Sequence, residues 1–378
     1  MAYIIEQADC LVIKVGSSLL VKDNRLDSAW LDALATDLAA AQAAGQKLIL
    51  VTSGAVSLGC AALGIDRAGL SLAQKQAAAA AGQIALLRGW QEALAAKGLQ
   101  TAQILLTPED TEQRRRYLNA RQTVTALLDF GVIPIINEND TVATQELRYG
   151  DNDRLAARVA AMSSADCLLL LSDIDGLYTA DPQTDAAAEF LPQIDAITED
   201  IIAMAGGSGS QHGSGGMVTK LQAAEIAQSA GCHMVLADGR TAHPLAALKN
   251  GARASWFKAH ANPLTARKNW IAGTLQPSGS VQVDAGAVAA LHRGKSLLPV
   301  GITAIDGRFE RGDCIILRGP DGDEIGRGLC AYASQDAQHM IGKDTQSLAA
   351  MAEFTGRSEL VHRDDMVLAQ DKNGDDDG

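Results

Sequence analysis

The amino-acid sequence predicts an α/β domain with a mostly parallel sheet, followed by a small β-rich domain. Through residue 258, short apolar runs rich in branched side chains alternate with longer helical stretches. Runs that are apolar throughout are typical of parallel strands buried on both faces. After Phe257 the pattern changes to short runs separated by turn signals such as Asp306-Gly307, which indicate a β-rich unit. A length of 378 residues also favours two domains.

Six runs in the first part have the composition of buried strands: residues 11–15, 47–52, 102–106, 132–136, 167–171 and 233–237. Segments rich in Ala, Leu and Gln predict helices near residues 28–44, 71–97, 114–129, 153–161 and 217–230. This alternation favours a layered α/β architecture. Such folds bind ligands at the carboxyl ends of their strands, and the glycine and polar clusters of this sequence fall at those ends.

We divide the chain into four segments on these patterns: residues 1–258 (α/β domain), 259–278 (polar connection), 279–357 (β-rich domain) and 358–378 (C-terminal segment). Within the β-rich domain, strand-like runs lie at 280–283, 301–305 and 313–317. The C-terminal segment ends in a charged, low-complexity tail that we expect to be disordered.

Composition and charge exclude several function classes. The sequence has no stretch of about 18 apolar residues, so we expect no membrane span. Its N-terminus lacks the features of a secretion signal, and we expect a cytoplasmic protein. The net charge of −13 argues against a nucleic acid as the main partner. Six cysteines occur without a CxxC pair, which favours buried free thiols over a cysteine metal site.

A lysine inside the first apolar run is the first candidate for chemistry. Lys14 is followed by Gly16, Ser17 and Ser18, small residues whose backbone N–H groups can form an anion-binding concavity. A lysine reaching out from an edge strand would give the same pattern. After the next run, Thr52-Ser53-Gly54 offers hydroxyl groups that bind a carboxylate or phosphate, or that cap a helix.

Two bursts of acid and amide side chains follow the run at 132–136. Asn137-Glu138-Asn139-Asp140 comes first, and Asp151-Asn152-Asp153 precedes a helix. Such groups are costly at a strand end unless they bind something. They can accept hydrogen bonds from an ammonium group or orient cations around a phosphoryl group. The alternative is a surface turn rich in Asn and Asp, which accounts for one burst better than for two.

A glycine-rich loop from Gly213 to Gly216 runs into a helical segment that carries Lys220. Glycine lets backbone N–H groups approach phosphate oxygens, and a helix N-terminus adds positive potential. The patterns GxxxxGK[ST] and GxGxxG are both absent from the sequence. A flexible linker at 206–216 is the alternative. Ser172-Asp173, at the end of another apolar run, is by itself unspecific.

The order and spacing of these motifs resemble those of the glutamate 5-kinases, a branch of the amino-acid kinase family. Residues 296–302 look like the start of a PUA domain and residues 361–366 like the usual ending of this family, so the likeness covers nearly everything except the tail. Its most specific part is the pairing of Asn-Glu-Asn-Asp with Gly-Asp-Asn-Asp. The matching segments are residues 14–18, 51–55, 136–140, 150–153, 176–182 and 215–220.

The resemblance implies a three-layer αβα sandwich around an eight-stranded, mostly parallel sheet. It implies ATP-dependent phosphorylation of the side-chain carboxylate of L-glutamate, the first step of proline synthesis, with Mg²⁺ carried by ATP and no direct protein ligand to the metal. A homo-oligomer (dimer or tetramer), feedback inhibition by proline and transient contact with glutamyl-phosphate reductase are also implied. One alternative is a related kinase with another carboxylate acceptor. Another is RNA binding through the PUA-like domain, although residues 279–356 carry 7 Lys+Arg against 10 Asp+Glu.

The resemblance also implies roles for single residues. Lys14 and Lys220 would bracket the ATP phosphates. Asp153 would hold these lysines rather than act as a base, because the attacking carboxylate is already ionised. Glutamate would be bound by Ser53, Asn137, Asp140 and Asn152, with Asp140 as the partner of its ammonium group. The nucleotide would be bound by Lys14, Gly16, Ser172, Asp173, Ser214, Gly215, Gly216, Met217, Val218, Thr219 and Lys220. The family often has Thr at positions 172 and 214 and Ser at 218, so the contact at Val218 is the least supported.

Overall fold

A computed structural model of the chain describes residues 1–143, 152–205, 216–274, 276–344, 347 and 358–369. By compactness the chain divides into two units, Met1–Pro263 and Leu264–Gly378. In the described part of the chain, no helix is both long enough and apolar enough to span a membrane.

The first unit alternates strands and helices. Its strands are β1 (Cys10–Val15), β2 (Val21–Lys22), β3 (Arg25–Leu26), β4 (Lys47–Thr52), β5 (Thr101–Leu106), β6 (Ile133–Glu138), β7 (Cys167–Ser172), β8 (Leu177–Tyr178), β9 (Phe190–Leu191), β10 (Gln193–Ile194), β11 (His233–Asp238) and β12 (Ala254–Phe257). Its helices are α1 (Tyr3–Gln7), α2 (Ser17–Leu20), α3 (Ser28–Ala43), α4 (Ala55–Leu63), α5 (Leu72–Ala95), α6 (Pro108–Glu112), α7 (Arg114–Asp129), α8 (Asn152–Ser163), α9 (Glu199–Met204), α10 (Met217–Ser229) and α11 (Pro244–Lys249).

An eight-stranded sheet forms the centre of this unit, in the order β10-β12-β11-β7-β1-β4-β6-β5. All neighbouring pairs run parallel except β11 and β12. Every residue of β1 and β7 is buried, as expected for parallel strands with helices on both faces. The predicted fold class is therefore confirmed.

Two apolar clusters cover the two faces of the sheet, and β1 contributes to both. Leu11 and Ile13 belong to the cluster that includes side chains of α3 and α5, whereas Val12 belongs to the cluster with α8 and α10. Because side chains alternate along a strand, Lys14 points to the same face as Val12. This parity directs the Lys14 ammonium group towards α8 and α10.

The second unit has its own sheet and core. Its elements are α12 (Pro263–Thr274), β13 (Gly279–Val283), α13 (Ala285–His292), β14 (Ile302–Gly307), β15 (Cys314–Arg318), β16 (Glu324–Cys330), α14 (Ser334–Met340) and β17 (Val361–Leu368). The sheet order is β14-β13-β15-β16-β17, with β13 and β15 parallel and the other pairs antiparallel. Arg267 on α12 and Asp365 on β17 form a buried ion pair, with 2.6 Å between Nη2 and Oδ1.

Two local features differ from the sequence-based segmentation. The connection predicted at 259–278 contains the helix α12, and the C-terminal segment predicted from 358 contributes β17 to the sheet. Both elements were missed because their apolar residues are few or interrupted by charges, so neither has a strong period. The acidic tail from residue 370 lies outside the described residues, and the domain boundaries themselves stay predictions.

Candidate active site

Two lysines from distant parts of the chain meet at one carboxylate. Lys14 of β1 places its Nζ 2.5 Å from Oδ1 of Asp153, and Lys220 of α10 places its Nζ 3.1 Å from Oδ2 of the same residue. Asp153 lies in the first turn of α8, where the helix dipole favours a negative charge. Because α8 and α10 pack on the face to which Lys14 points, the fold itself brings these three charges together.

The side chains of Asp153, Lys14 and Lys220 are all buried. The side chains are 1% exposed for Asp153, 7% for Lys14 and 8% for Lys220. Burial raises the pKa of Asp153, but the ammonium groups of Lys14 and Lys220 outweigh burial and hold that pKa below its usual value. Thr219 Oγ1 also donates a hydrogen bond to Asp153 Oδ2, at 3.3 Å. Two cations with one anion leave a net positive charge, which favours an anionic ligand nearby.

A cavity of about 350 Å³ opens beside these charges. It lies at the carboxyl ends of β1, β4, β6 and β7, the edge where parallel α/β sheets bind ligands. Its charged lining residues are Lys14, Arg67, Glu138, Asp140, Asp173 and Lys220. The remaining lining residues are small or polar, apart from a few aliphatic ones: Gly16, Ser17, Ser18, Ser53, Gly54, Ala55, Val56, Ser57, Asn137, Asn152, Leu171 and Ser172.

An ordered set of amide groups forms one wall of the cavity. Asn152 Nδ2 donates to Asn137 Oδ1 at 2.8 Å, to Ser53 Oγ at 3.0 Å and to the backbone oxygen of Thr52 at 2.5 Å. Asn137 Nδ2 in turn donates to Oε1 of Gln83 at 2.8 Å. Residues from β4, β6, α5 and α8 are therefore connected at a single point of the cavity.

The chain turns sharply at Gly54, between β4 and α4. Its φ of 109° lies in the left-handed region, which glycine adopts without the strain that a side chain would cause. The turn places Ala55, the first residue of α4, on the cavity wall. In the described chain no side chain caps this helix start, so its backbone N–H groups are oriented to meet an anion.

The structure brings together most residues that the sequence singled out. Lys14, Gly16, Ser53, Asn137, Asp140, Asn152, Ser172, Asp173 and Lys220 line the cavity, and Asp153 lies directly behind the two lysines. Gly216, Met217, Val218 and Thr219 form the start of α10 but are not among the lining residues in the described part of the structure. Ser214 and Gly215 lie outside the described residues, as do Gly150 and Asp151.

The sequence analysis assigned no individual role to three polar residues of this region. Glu138 lines the cavity and belongs to the acid and amide burst, so its neighbours in that motif were the signal. Arg67 also lines the cavity, with Nη1 3.3 Å from Ser57 Oγ, and Gln83 contacts Asn137. Neither of these two stands in a recognisable motif, because Arg67 lies in an exposed loop and Gln83 in an alanine-rich helix.

The described residues hold no group of three or more His, Cys, Asp or Glu side chains arranged to bind a metal ion. The carboxylates of Glu138, Asp140 and Asp173 share the cavity without forming such a group. All six cysteines are free and buried, in agreement with the expected thiols.

We compared the chain with models of known protein families. A model of the amino acid kinase family matches residues 9–238, and a PUA domain model matches residues 279–351. The chain belongs to the amino acid kinase family.

Within the amino acid kinase family, the glutamate 5-kinases are its close relatives, which confirms the resemblance expected from the motifs. The enzyme named glutamate 5-kinase in Bradyrhizobium sp. strain BTAi1 is 54% identical over 360 residues, which is 95% of each chain. The one from Nitrobacter hamburgensis is 52% identical over 366 residues, 96% of this chain and 97% of the relative. A solved structure of isopentenyl phosphate kinase has a TM-score of 0.47 at 16% identity, covering 66% of this chain and 100% of that one. A likeness at that level says nothing about the reaction.

Proposed function

We propose that this protein transfers the γ-phosphoryl group of ATP to the side-chain carboxylate of L-glutamate, giving L-glutamyl 5-phosphate and ADP. The observation that carries the proposal is the convergence of Lys14 and Lys220 on Asp153 beside a polar cavity. Identity of 52–54% to glutamate 5-kinases over nearly the full length supports glutamate as the acceptor. We expect the enzyme to act in the cytoplasm.

The reaction needs charge compensation more than proton transfer. Both reactants are anions, so they repel one another on approach, and phosphoryl transfer is catalysed mainly by positioning and electrostatic stabilisation. Lys14 and Lys220 would neutralise charge on the transferring phosphoryl group, an effect worth roughly 3–4 kcal/mol of barrier per well-placed donor. Asp153 would keep the two ammonium groups in place. No base is required, since the acceptor carboxylate is ionised at neutral pH.

The acceptor would bind at the amide-lined wall of the cavity. Asp140 offers a carboxylate to the α-ammonium group of glutamate, while Ser53, Asn137 and Asn152 surround the same point. The nucleotide would lie along Gly16, Ser172, Asp173 and the first turn of α10, including Gly216 to Lys220, together with Ser214 and Gly215. Mg²⁺ would be held by the ATP phosphates and would neutralise phosphate charge during transfer.

ADP release with a panel of acceptors tests this assignment. We expect turnover with L-glutamate and only background hydrolysis with aspartate, N-acetylglutamate, carbamate or UMP. Turnover with another carboxylate and none with glutamate would identify a related kinase of different specificity. Absence of ATP turnover with any acceptor would contradict the kinase assignment altogether.

A further inference from the structure

Helix α5 makes three side-chain hydrogen bonds, spaced seven residues apart, to the carboxyl ends of β4 and β6 and to the segment that follows β6. Gln76 Nε2 donates to the backbone oxygen of Ala143 at 3.0 Å, Gln83 Oε1 accepts from Asn137 Nδ2 at 2.8 Å, and Trp90 Nε1 donates to Thr52 Oγ1 at 2.9 Å. Seven residues are almost two full helical turns, so these side chains lie along one face of α5. Only the middle contact reaches an amide group that itself lines the cavity.

Backbone groups fix which atom of each cavity amide faces which way. Asn137 Oδ1 accepts from the backbone N–H of Glu138 at 2.9 Å, and a backbone N–H can only donate. Asn152 Nδ2 approaches the backbone oxygen of Thr52, which can only accept. The oxygen and nitrogen of both amides are therefore assigned by groups whose role cannot invert.

These assignments leave one polar side-chain atom of Asn152 for a ligand. Its Nδ2 is shared among Thr52, Ser53 and Asn137, so only its Oδ1 can contact a molecule in the cavity that Asn152 lines. An amide oxygen accepts hydrogen bonds and so suits an ammonium group. The position of this oxygen depends on Asn137, because Asn137 Oδ1 holds Asn152 Nδ2.

We propose that Gln83 is a positioning residue for the phosphate acceptor, which holds Asn137 and through it directs the Asn152 amide oxygen at the acceptor's α-ammonium group. The inference rests on the proposed function and deepens it. Asn137 is only 3% exposed, so without Gln83 its Nδ2 would lose its acceptor in a buried setting. A buried donor without a partner is costly, and the Asn137 side chain would rotate to find another.

The Nε2 atom of Gln83 makes it possible to test the role of Oε1 separately. This nitrogen is buried and has no hydrogen-bond partner among the described residues. Gln83→Glu therefore removes no contact and keeps an oxygen in place for Asn137, whereas Gln83→Met keeps the shape and removes the acceptor. Gln91, exposed on the same helix, supplies the matched control Gln91→Met.

The test compares L-glutamate with glutarate, which lacks only the amino group. We measure the KM for glutamate, the KM for ATP and the inhibition constant of glutarate against glutamate in the full-length enzyme. For Gln83→Met we expect the glutamate KM to rise about tenfold, the loss of one hydrogen bond to a charged group. The ATP and glutarate constants should stay within about twofold. Gln83→Glu should keep a glutamate KM near that of the wild type, and Gln91→Met should match the wild type throughout.

Three results would overturn the proposal. An unchanged glutamate KM in Gln83→Met would show that Asn137 needs no support. An equal weakening of glutamate and glutarate would indicate a general distortion of the cavity. A Gln83→Glu enzyme as impaired as Gln83→Met would exclude the acceptor role of Oε1. A wild-type enzyme that released no ADP with glutamate would contradict the proposed function itself. The three results above leave wild-type turnover intact, so the two kinds of failure can be told apart.

Discussion

Replacing Lys14, Asp153 or Lys220, the three buried charged residues, should not have the same effect in each case. Lys220→Ala leaves Asp153 paired with Lys14, a neutral pair that the fold can tolerate, but removes one of the two cations that we propose to stabilise the phosphoryl group. We expect kcat to fall by at least about 10²–10³ with an unchanged unfolding temperature. Coupled ADP release and circular dichroism measure the two effects. Lys47→Ala, at an exposed pair with Asp129, is the control, and near-normal turnover in Lys220→Ala would contradict the phosphate role.

We proposed that the carboxylate of Asp140, which lines the cavity, binds the α-ammonium group of the acceptor and does not contact ATP. Asp140→Asn keeps the size of the side chain and removes its charge, so recognition of the α-ammonium group should weaken. We expect the glutamate KM to rise roughly 10- to 100-fold, as for a charge-assisted hydrogen bond, with a far smaller change in the ATP KM. Initial rates with each substrate varied in turn give both constants. Equal changes in the two would argue against this assignment.

Asp153 should affect stability more than its neighbours do. Asp153→Asn leaves two buried ammonium groups without their counter-charge, which costs about 3–5 kcal/mol, and MgATP should stabilise this variant more than the wild type.

The stability that Asp153 contributes should depend on pH. The pKa of Asp153 is lowered in the folded state, so its contribution to the free energy of unfolding is complete above the unfolded pKa of about 3.9 and is lost as the pH falls through the lower folded value. Unfolding midpoints should therefore differ between wild type and variant at pH 5–7 and converge in more acidic solution. A constant difference down to the acid limit would be inconsistent with this account.

At the scale of elements, α4 and α5 touch through their backbones at Gly82. A Cβ added there would lie 1.9 Å from the oxygen of Ala55 and 2.4 Å from the nitrogen of Gly59, so the helices would have to separate. Since Ala55 lines the cavity, Gly82→Ala should cost about 1–3 kcal/mol and raise the glutamate KM. Gly89→Ala in the same helix meets only side-chain atoms, a close contact with the flexible tip of Leu26 and an ordinary one with Leu31, and should be far milder. Urea unfolding of both variants gives the comparison, and equal stability of the two would refute the contact.

The elements that the sequence predicted well are those with one dominant period or composition. Six strands of the first sheet (β1, β4, β5, β6, β7 and β11) were located within one or two residues, because the strands of a parallel sheet covered by helices are largely apolar along their length. The short strands β10 and β12 carry too few residues for a pattern. In the second unit, β16 alternates glycine with other residues and β17 contains His362, Arg363, Asp364 and Asp365, so neither forms an apolar run.

The candidate site was predictable where residues cluster in sequence and hidden where they meet only in space. Lys14, Asn137, Asp140 and Asp153 stand at strand ends or helix starts, where a polar residue is conspicuous. Gln83 lies among alanines, and only the packing of α5 against β6 reveals its contact with Asn137. The contact of a helix face with a strand end is a tertiary property that no local pattern contains.

At the scale of the whole molecule, the first unit buries three thiols at its central sheet. Cys10, Cys167 and Cys232 lie at or beside the amino ends of three neighbouring strands and are buried. Burial, with help from Asp166, raises the pKa of the Cys10 thiol to about 12, and burial likewise raises the pKa values of Cys167 and Cys232.

These three thiols should resist iodoacetamide at pH 8 in the native enzyme and react fully after denaturation in urea, because the thiolate is the nucleophile. Mass spectrometry of peptides after labelling reads each cysteine separately. Turnover after native labelling should equal that of the untreated enzyme. Rapid native labelling of Cys167, which like Cys232 is fully buried, would contradict the packing of the sheet.

The shared carboxylate of Asp153 also constrains how such a chain can change over generations. Replacing either lysine leaves the other lysine paired with Asp153, which the interior tolerates. Replacing the acid first leaves two positive charges buried without a counter-charge. The order of substitution is therefore not free. A descendant that abandoned phosphoryl transfer would be expected to lose a cation before it lost the anion, and a chain that kept both lysines without the acid would be the rarest intermediate.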